Sequence, residues 1–309
     1  MSLIFCSQSD DSRLWKAAFA DCMPELEFRV WPDFGERQNV EIALVWDPMQ
    51  DQLLEFPNLK LITSLGAGVD HLLSATTIPE GVSISRIVDT SLAQGMREWV
   101  TLYTLYCLRR VPEYLALQAA QHWKPLSNPL CSDLSVGVMG MGELGATSAI
   151  ALNQTGFNVV GWSLNEKKLS GIKSFFGADE LKHFLSKCNI LVCLLPLTPH
   201  TKGIIDSTVF QSLPVGACFI NAARGGLVVE KDLIDALETG KIAHAVIDVA
   251  CEEPLQKKNP LWGVPNITIT PHVASVTDPK AAARLVVANL KRIRLGKKPH
   301  YIVDPKTGY

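Results

Sequence analysis

The sequence predicts an α/β fold in which a doubly wound parallel-sheet domain is inserted into a second, smaller α/β domain. Three observations predict it. Short apolar runs alternate with helical stretches along the chain, the pattern of β/α units. The later runs, such as Ile190–Leu195 and Ala217–Asn221, are apolar at almost every position, as parallel strands covered on both faces require. A glycine turn, Gly140-Met141-Gly142-Glu143-Leu144-Gly145, falls near the middle of the 309 residues, so another unit is built before it.

The elements follow in order. Leu3–Ser7, Glu41–Trp46, Leu59–Ser64 and Ser83–Ile87 read as strands, with a helix over Asp11–Ala20. Ser91–Leu117 reads as one helical stretch, apolar on more than one face through Met96, Trp99, Val100, Leu102, Tyr103, Leu105 and Leu108; such a helix is expected to pack against a second subunit, the alternative being a central helix within one subunit. A loop rich in Pro and Ser runs from Trp123 to Asp133. Strands then recur at Val136–Met139, Val159–Trp162, Ile190–Leu195, Ala217–Asn221, His244–Val249 and Ile267–Thr270, with helices at Ala146–Leu152, Glu230–Glu238 and Lys280–Leu295. The last helix is expected to return to the first domain. Residues 1–97 and 280–309 are thus expected to form a substrate domain, and residues 98–279 the dinucleotide-binding domain.

Composition narrows the function. A net charge of −2 gives no electrostatic footprint for nucleic acid or an anionic membrane. Eight cysteines are scattered without a C-x-x-C or zinc spacing, and several sit in apolar strands; free thiols in a reducing cytoplasm are the expectation. Ser2–Cys6 reads as a strand rather than a signal peptide. No apolar run approaches the ~20 residues of a membrane span.

The glycine turn is G-x-G-x-x-G between a strand and a helix, the dinucleotide fingerprint of a Rossmann domain. Gly140 permits the turn, Gly142 lets the backbone approach a pyrophosphate, and Gly145 lets helix and strand pack closely. The helix N-terminus adds N–H groups and a positive dipole end. Ligands of such sheets lie beyond the carboxyl ends of the strands. Three strand ends supply chemistry there: Arg224 after Ala217–Asn221, Glu253 after His244–Val249, and His272 after Ile267–Thr270. An arginine fork grips a carboxylate and polarises the adjacent carbonyl. A histidine delivers a proton to the oxygen as hydride reaches the carbon, and a carboxylate beside it stabilises the imidazolium. Together they fit carbonyl reduction.

At this point the chain resembles the D-isomer-specific 2-hydroxyacid dehydrogenases over nearly its whole length. The resemblance is carried by Gly66-Ala67-Gly68-Val69-Asp70, the glycine fingerprint, Leu194-Leu195-Pro196-Leu197-Thr198-Pro199-His200-Thr201, Asn221-Ala222-Ala223-Arg224-Gly225-Gly226, Asp248-Val249 to Glu253-Pro254-Leu255, and Thr270-Pro271-His272-Val273-Ala274. It implies a flavodoxin-like fold for the smaller domain, Arg224 as substrate anchor, His272 as general acid/base and Glu253 as its partner. It implies cofactor contacts from the 140–145 turn, Ser163, Leu195, Pro196, Ala222, Arg224, Asp248 and His272. Ala67 and Gly68 would offer N–H groups to the substrate carboxylate, and homodimers are usual. Trp46, Leu65–Asp70 and Trp123-Lys124-Pro125-Leu126 resemble the glyoxylate/hydroxypyruvate reductase branch, in which the counterpart of Trp123 reaches the neighbouring subunit's substrate pocket. Trp123 packing within its own loop stays open.

The cofactor end is less regular. An NAD-specific strand ends in an acid that bonds the ribose 2′-OH; here the position reads Trp162-Ser163-Leu164-Asn165. Ser163 can bond a phosphate, which favours NADP over NAD. The arginine that usually follows it in NADP reductases of the family is Leu164, and Lys167 and Lys168 are candidate substitutes. The expected activity is NAD(P)H-dependent reduction of a small 2-keto acid of the glyoxylate or hydroxypyruvate type. The alternatives are NAD-dependent oxidation of a 2-hydroxy acid, as in a phosphoglycerate dehydrogenase, and a nucleotide-sensing, corepressor-like binding protein on the same fold.

Overall fold

Two units divide the chain: Met1–Leu92 with Val276–Tyr309, and Ala93–Ser275. The computed structural model describes residues 1–309 apart from Pro48, Gln50, Thr76, Lys306, Thr307 and Tyr309.

The first unit begins with β1 (Ser2–Cys6), α1 (Ser12–Cys22), β2 (Glu27–Val30), β3 (Val40–Val45), β4 (Leu61–Ser64), α2 (Asp70–Ala75) and β5 (Ser83–Arg86). The strands pair in the order β2-β1-β3-β4-β5, all parallel, which is the flavodoxin-type order. All five residues of β1 are buried, as a central parallel strand demands. Helix α1 is capped by Asp11, whose carboxylate accepts the Arg13 N–H at 3.0 Å. It buries Trp15, Ala18 and Phe19, spaced i, i+3, i+4 on one face.

The second unit contains α3 (Thr90–Leu108, shared at its start), α4 (Val111–Ala119), β6 (Ser135–Met139), α5 (Glu143–Gln154), β7 (Asn158–Ser163), β8 (Lys173–Phe176), α6 (Gly177–Leu185), β9 (Ile190–Cys193), α7 (Ser207–Ser212), β10 (Ala217–Asn221), α8 (Glu230–Glu238), β11 (Ile242–Ile247) and β12 (Ile267–Ile269). Its strands are parallel in the order β12-β11-β10-β9-β6-β7-β8. The direction of winding reverses between β6 and β9, where Val136 to Met139 lie opposite Ile190 to Cys193. Such a reversal opens a crevice at the carboxyl ends of the two strands. Apolar side chains fill both faces of this sheet, with Phe184, Phe210 and Phe219 among those fully buried.

The chain then returns to the first unit as α9 (Pro279–Arg294), which packs on α1. Asp278 caps it and Pro279 occupies its first turn. Its last turn is tied to the first sheet by Arg294, 3.1 Å from Glu41, which Lys60 also meets at 2.8 Å. Burial raises the Glu41 carboxyl, but the two cations outweigh it and hold it below the usual carboxylate range.

The sheets match the parallel α/β reading, and several details differ from it. The stretch 91–117 is two helices, not one: Arg110 sits at φ 55°, a left-handed residue that ends α3 before α4 starts. Of the seven apolar residues of α3 named for that helix, Met96, Trp99, Val100 and Leu108 lie in the core of their own unit, Tyr103 and Leu105 pack against that core, and Leu102 is 58% exposed. Strands β2 and β8 have no counterpart in the sequence reading. Both are four-residue edge strands carrying a charge, Arg29 in one and Lys173 in the other, so neither forms a continuous apolar run. Among the described residues no helix is long and apolar enough to cross a membrane.

Candidate active site

The glycine turn lies at the reversal of the second sheet. Gly140 follows β6 at φ 100°, and a Cβ there would come within 2.5 Å of the Leu194 carbonyl oxygen, the loop after β9. At Gly145 a Cβ would collide with the Gly140 carbonyl oxygen, so the first turn of α5 closes directly on the glycine turn. Gly142, the N-cap of α5, faces open space. Among the described residues the Gly142, Glu143 and Leu144 N–H groups have no hydrogen-bond partner. Free donors at a helix start beside an open glycine fit a pyrophosphate. Met141 points the other way: it is buried and lies over Gly161 of β7, where a Cβ would meet its Sδ at 2.7 Å.

Arg224 leaves the end of β10 in a bracket made by Asn221. The buried Asn221 amide accepts the Ala223 N–H at 3.1 Å and donates to the Arg224 carbonyl at 3.0 Å. Arg224 Nη1 donates to the Ala223 carbonyl at 2.8 Å, which aims the guanidinium along its own loop. Gly225 follows because its Cα packs against the Ala250–Cys251 backbone with no room for a Cβ.

His272 stands on a backbone of φ 55°, held by Asp248. Asp248 is 2% exposed; its carboxylate accepts the Thr270 hydroxyl at 2.5 Å, the Val273 N–H at 2.9 Å and the Ala274 N–H at 2.8 Å, and its carbonyl accepts the His272 N–H at 2.7 Å. His272 Nδ1 donates to Glu253 Oε2 at 2.7 Å, since a carboxylate can only accept. The other Glu253 oxygen accepts the Ala250 N–H at 2.9 Å. Burial raises the Glu253 carboxyl, but the hydrogen bonds from His272 and Ala250, with the charges of His272 and Arg224, hold it below its ordinary value. One carboxylate therefore fixes the ring through Nδ1.

The other expected residues separate into groups. Ser163 ends β7 and donates to the Asn165 carbonyl at 2.7 Å, turning the chain there; Leu164 is 65% exposed, and Lys167 and Lys168 are exposed. The side chains of Leu195 and Ala222 belong to the core of the second unit, while Pro196 is exposed and its carbonyl accepts the Thr201 hydroxyl at 2.6 Å. Asp248 spends its carboxylate on the histidine loop. In the first unit, Trp46 follows β3, Ala67 and Gly68 follow β4, and the Trp46 ring lies 4.7 Å from that of His71. Trp123 is wholly exposed after α4. Sequence reading passed over Asn221, Ser64 and Arg86. Asn221 and Ser64 each carried a signal, as polar residues closing an apolar strand.

A reversal-point glycine turn with an arginine and a histidine–glutamate pair at the strand ends defines a class, the nicotinamide-dependent oxidoreductases. Residues 101–274 match the model of the D-isomer specific 2-hydroxyacid dehydrogenase NAD binding domain. The chain is 39% identical to glyoxylate/hydroxypyruvate reductase A of Serratia proteamaculans and 37% identical to that of Yersinia enterocolitica, over the full length of each protein. Among solved structures, a D-isomer specific 2-hydroxyacid dehydrogenase of Xanthobacter autotrophicus in complex with NADPH and MES is 39% identical, with a TM-score of 0.96, covering 100% of this chain and 99% of the other. The NADPH-dependent glyoxylate/hydroxypyruvate reductase of Sinorhizobium meliloti, in complex with NADP and sulfate, is 36% identical at a TM-score of 0.93, each chain covered fully. The chain belongs to the D-isomer specific 2-hydroxyacid dehydrogenase family, in its glyoxylate/hydroxypyruvate reductase branch.

Proposed function

We propose that the protein reduces small 2-keto acids, glyoxylate and hydroxypyruvate first, to 2-hydroxy acids with NADPH as reductant. The observation that carries this reading is the 2.7 Å His272–Glu253 pair within the field of Arg224, on the strand ends of a dinucleotide-binding sheet. Arg224 holds the carboxylate and polarises the keto oxygen. His272 Nε2 gives that oxygen its proton, and Glu253 holds the ring and balances the imidazolium. A bound nicotinamide supplies the hydride. Turn residues 140–145 take the pyrophosphate; Ser163, Pro196, the Leu195, Ala222 and Asp248 backbone, Arg224 and His272 complete the cofactor contacts. The first unit is the substrate domain, with Ala67 and Gly68 on the carboxylate and Trp46 beside them. NADP is favoured because no acid ends β7 and because the Xanthobacter and Sinorhizobium relatives are bound to NADPH and NADP.

The deciding experiment measures NADPH and NADH oxidation side by side with glyoxylate, hydroxypyruvate, pyruvate and larger keto acids. Turnover with NADPH on glyoxylate and hydroxypyruvate is expected. Tight cofactor binding without turnover on any keto acid would favour the binding-protein reading instead.

The protein works as a homodimer, with Trp123 presented to the partner's pocket, and in the cytoplasm, where its eight unpaired thiols stay reduced. Helix α4 supports the dimer: it carries Val111, Leu115 and Leu117 yet buries no residue. Leu115 of this helix is 52% exposed, and Leu102, Leu130 and Trp123 are 58%, 67% and 100% exposed. Sedimentation should give twice the 33.9 kDa chain mass, falling to one mass in Leu115→Glu. A wild-type monomer at working concentration would remove the dimer.

A further inference from the structure

The loop after β4 is held from within. The buried Ser64 hydroxyl accepts the Gly66 N–H at 3.3 Å and donates to the Gly68 carbonyl at 2.6 Å. The Gly66 carbonyl accepts the Ile87 N–H at 3.1 Å. On its other side, Gly66 lies under the Trp46 ring, where a Cβ would come within 2.9 Å of Cζ3. These contacts use up the inward groups of the loop. Among the described residues, the N–H groups of Ala67 and Gly68 have no hydrogen-bond partner.

Among the described residues, a cation reaches this loop. Arg86, the last residue of β5, is paired in register with Ser64 and donates from Nη1 to the Ala67 carbonyl at 3.3 Å. That carbonyl and the Gly68 N–H belong to the same peptide unit. A charged donor on the oxygen draws electron density away from the nitrogen and strengthens its N–H as a donor, as hydrogen bonds in chains polarise one another. The guanidinium also brings a positive charge to the peptide that carries the Gly68 N–H, and a positive charge attracts an anion and not a neutral group.

We infer that Arg86 is a specificity-determining residue, which makes the Ala67–Gly68 loop select 2-keto acids ionised at the carboxylate over neutral carbonyl compounds. The inference rests on the proposed reading that these two N–H groups take the substrate carboxylate. Arg86 acts through the peptide and does not touch the reacting carbon.

Arg86→Gln tests it, because an amide can still donate to the Ala67 carbonyl while the charge is removed; Arg86→Lys restores the charge. Three quantities are read in each full-length variant: KM and kcat for glyoxylate, the affinity of the NADPH complex for oxamate, a non-reducible carboxylate analogue, and the affinity for NADPH alone. Arg86→Gln is expected to raise KM and weaken oxamate roughly tenfold, the size of one charge-assisted hydrogen bond. It should leave kcat within about twofold and NADPH affinity unchanged, and Arg86→Lys should recover most of the loss. Unchanged KM and oxamate affinity in Arg86→Gln would overturn the inference. So would a loss of kcat and melting temperature that lysine does not rescue, since a structural role predicts that pattern. A wild-type protein that neither binds oxamate nor reduces glyoxylate would sink the proposed function itself, a result distinct from either.

Discussion

Replacing His272 by glutamine is expected to lower kcat with glyoxylate by about 10²- to 10⁴-fold, the usual worth of a positioned general acid. NADPH affinity should hold, because the fingerprint donors are untouched. The pH profile carries the sharper test. In the folded protein Glu253 is held below its ordinary value, so it stays ionised throughout the neutral range and loses its charge only when the pH falls below the usual carboxylate region. Any change of rate between neutrality and that region therefore belongs to another group. A fall in rate below that region is expected from loss of the Glu253 charge, and the glutamine variant, already without the proton donor, should not follow it. Wild-type turnover in the variant, or a profile unchanged in shape, would end the assignment.

Arg224→Gln is expected to cost about 10²- to 10³-fold in kcat/KM, comparable to removing one preorganised donor from a developing oxyanion. The glutamine removes both the fork and the charge. Arg224→Lys keeps the charge but loses the planar bidentate geometry, so it should recover only part of the loss. The split between kcat and KM separates the two jobs of the side chain: carboxylate gripping moves KM, and carbonyl polarisation moves kcat. An Arg224→Gln enzyme with both constants intact would show that this arginine is only a loop charge.

The legible parts of the sequence were those whose physics is local. Gly140 and Gly145 announced a turn because only glycine fits each position, and the structure shows the carbonyl oxygens of Leu194 and Gly140 occupying the space a side chain would need. The buried strands β6, β9 and β10 announced themselves by unbroken apolar runs. The edge strands β2 and β8 did not, because their stability comes from pairing with Ser2–Phe5 and Val160–Ser163 rather than from their own composition. The helix break at Arg110 was hidden for a related reason: a left-handed residue at an arginine has no compositional sign. At the candidate site, Arg224, Glu253 and His272 could be named because their residue types carry the chemistry. The groups that set their geometry could not. Asn221 acts through the backbone of Ala223 and Arg224; in the first unit Ser64 and Arg86 likewise contact the backbone of the 66–68 loop.

Asp248 has a consequence for how this protein can change. Besides the Thr270 hydroxyl, it grips the histidine loop by three main-chain N–H groups, those of residues 272, 273 and 274. Main-chain groups are the same whatever side chain they carry. Val273, with 48% of its surface exposed, can therefore be exchanged without moving the imidazole beside it. The loop separates a fixed reactive group from an adjustable neighbour, so selection or design can reshape the surroundings of His272 one residue at a time, while Asp248, which reacts with nothing, is the residue that tolerates no exchange.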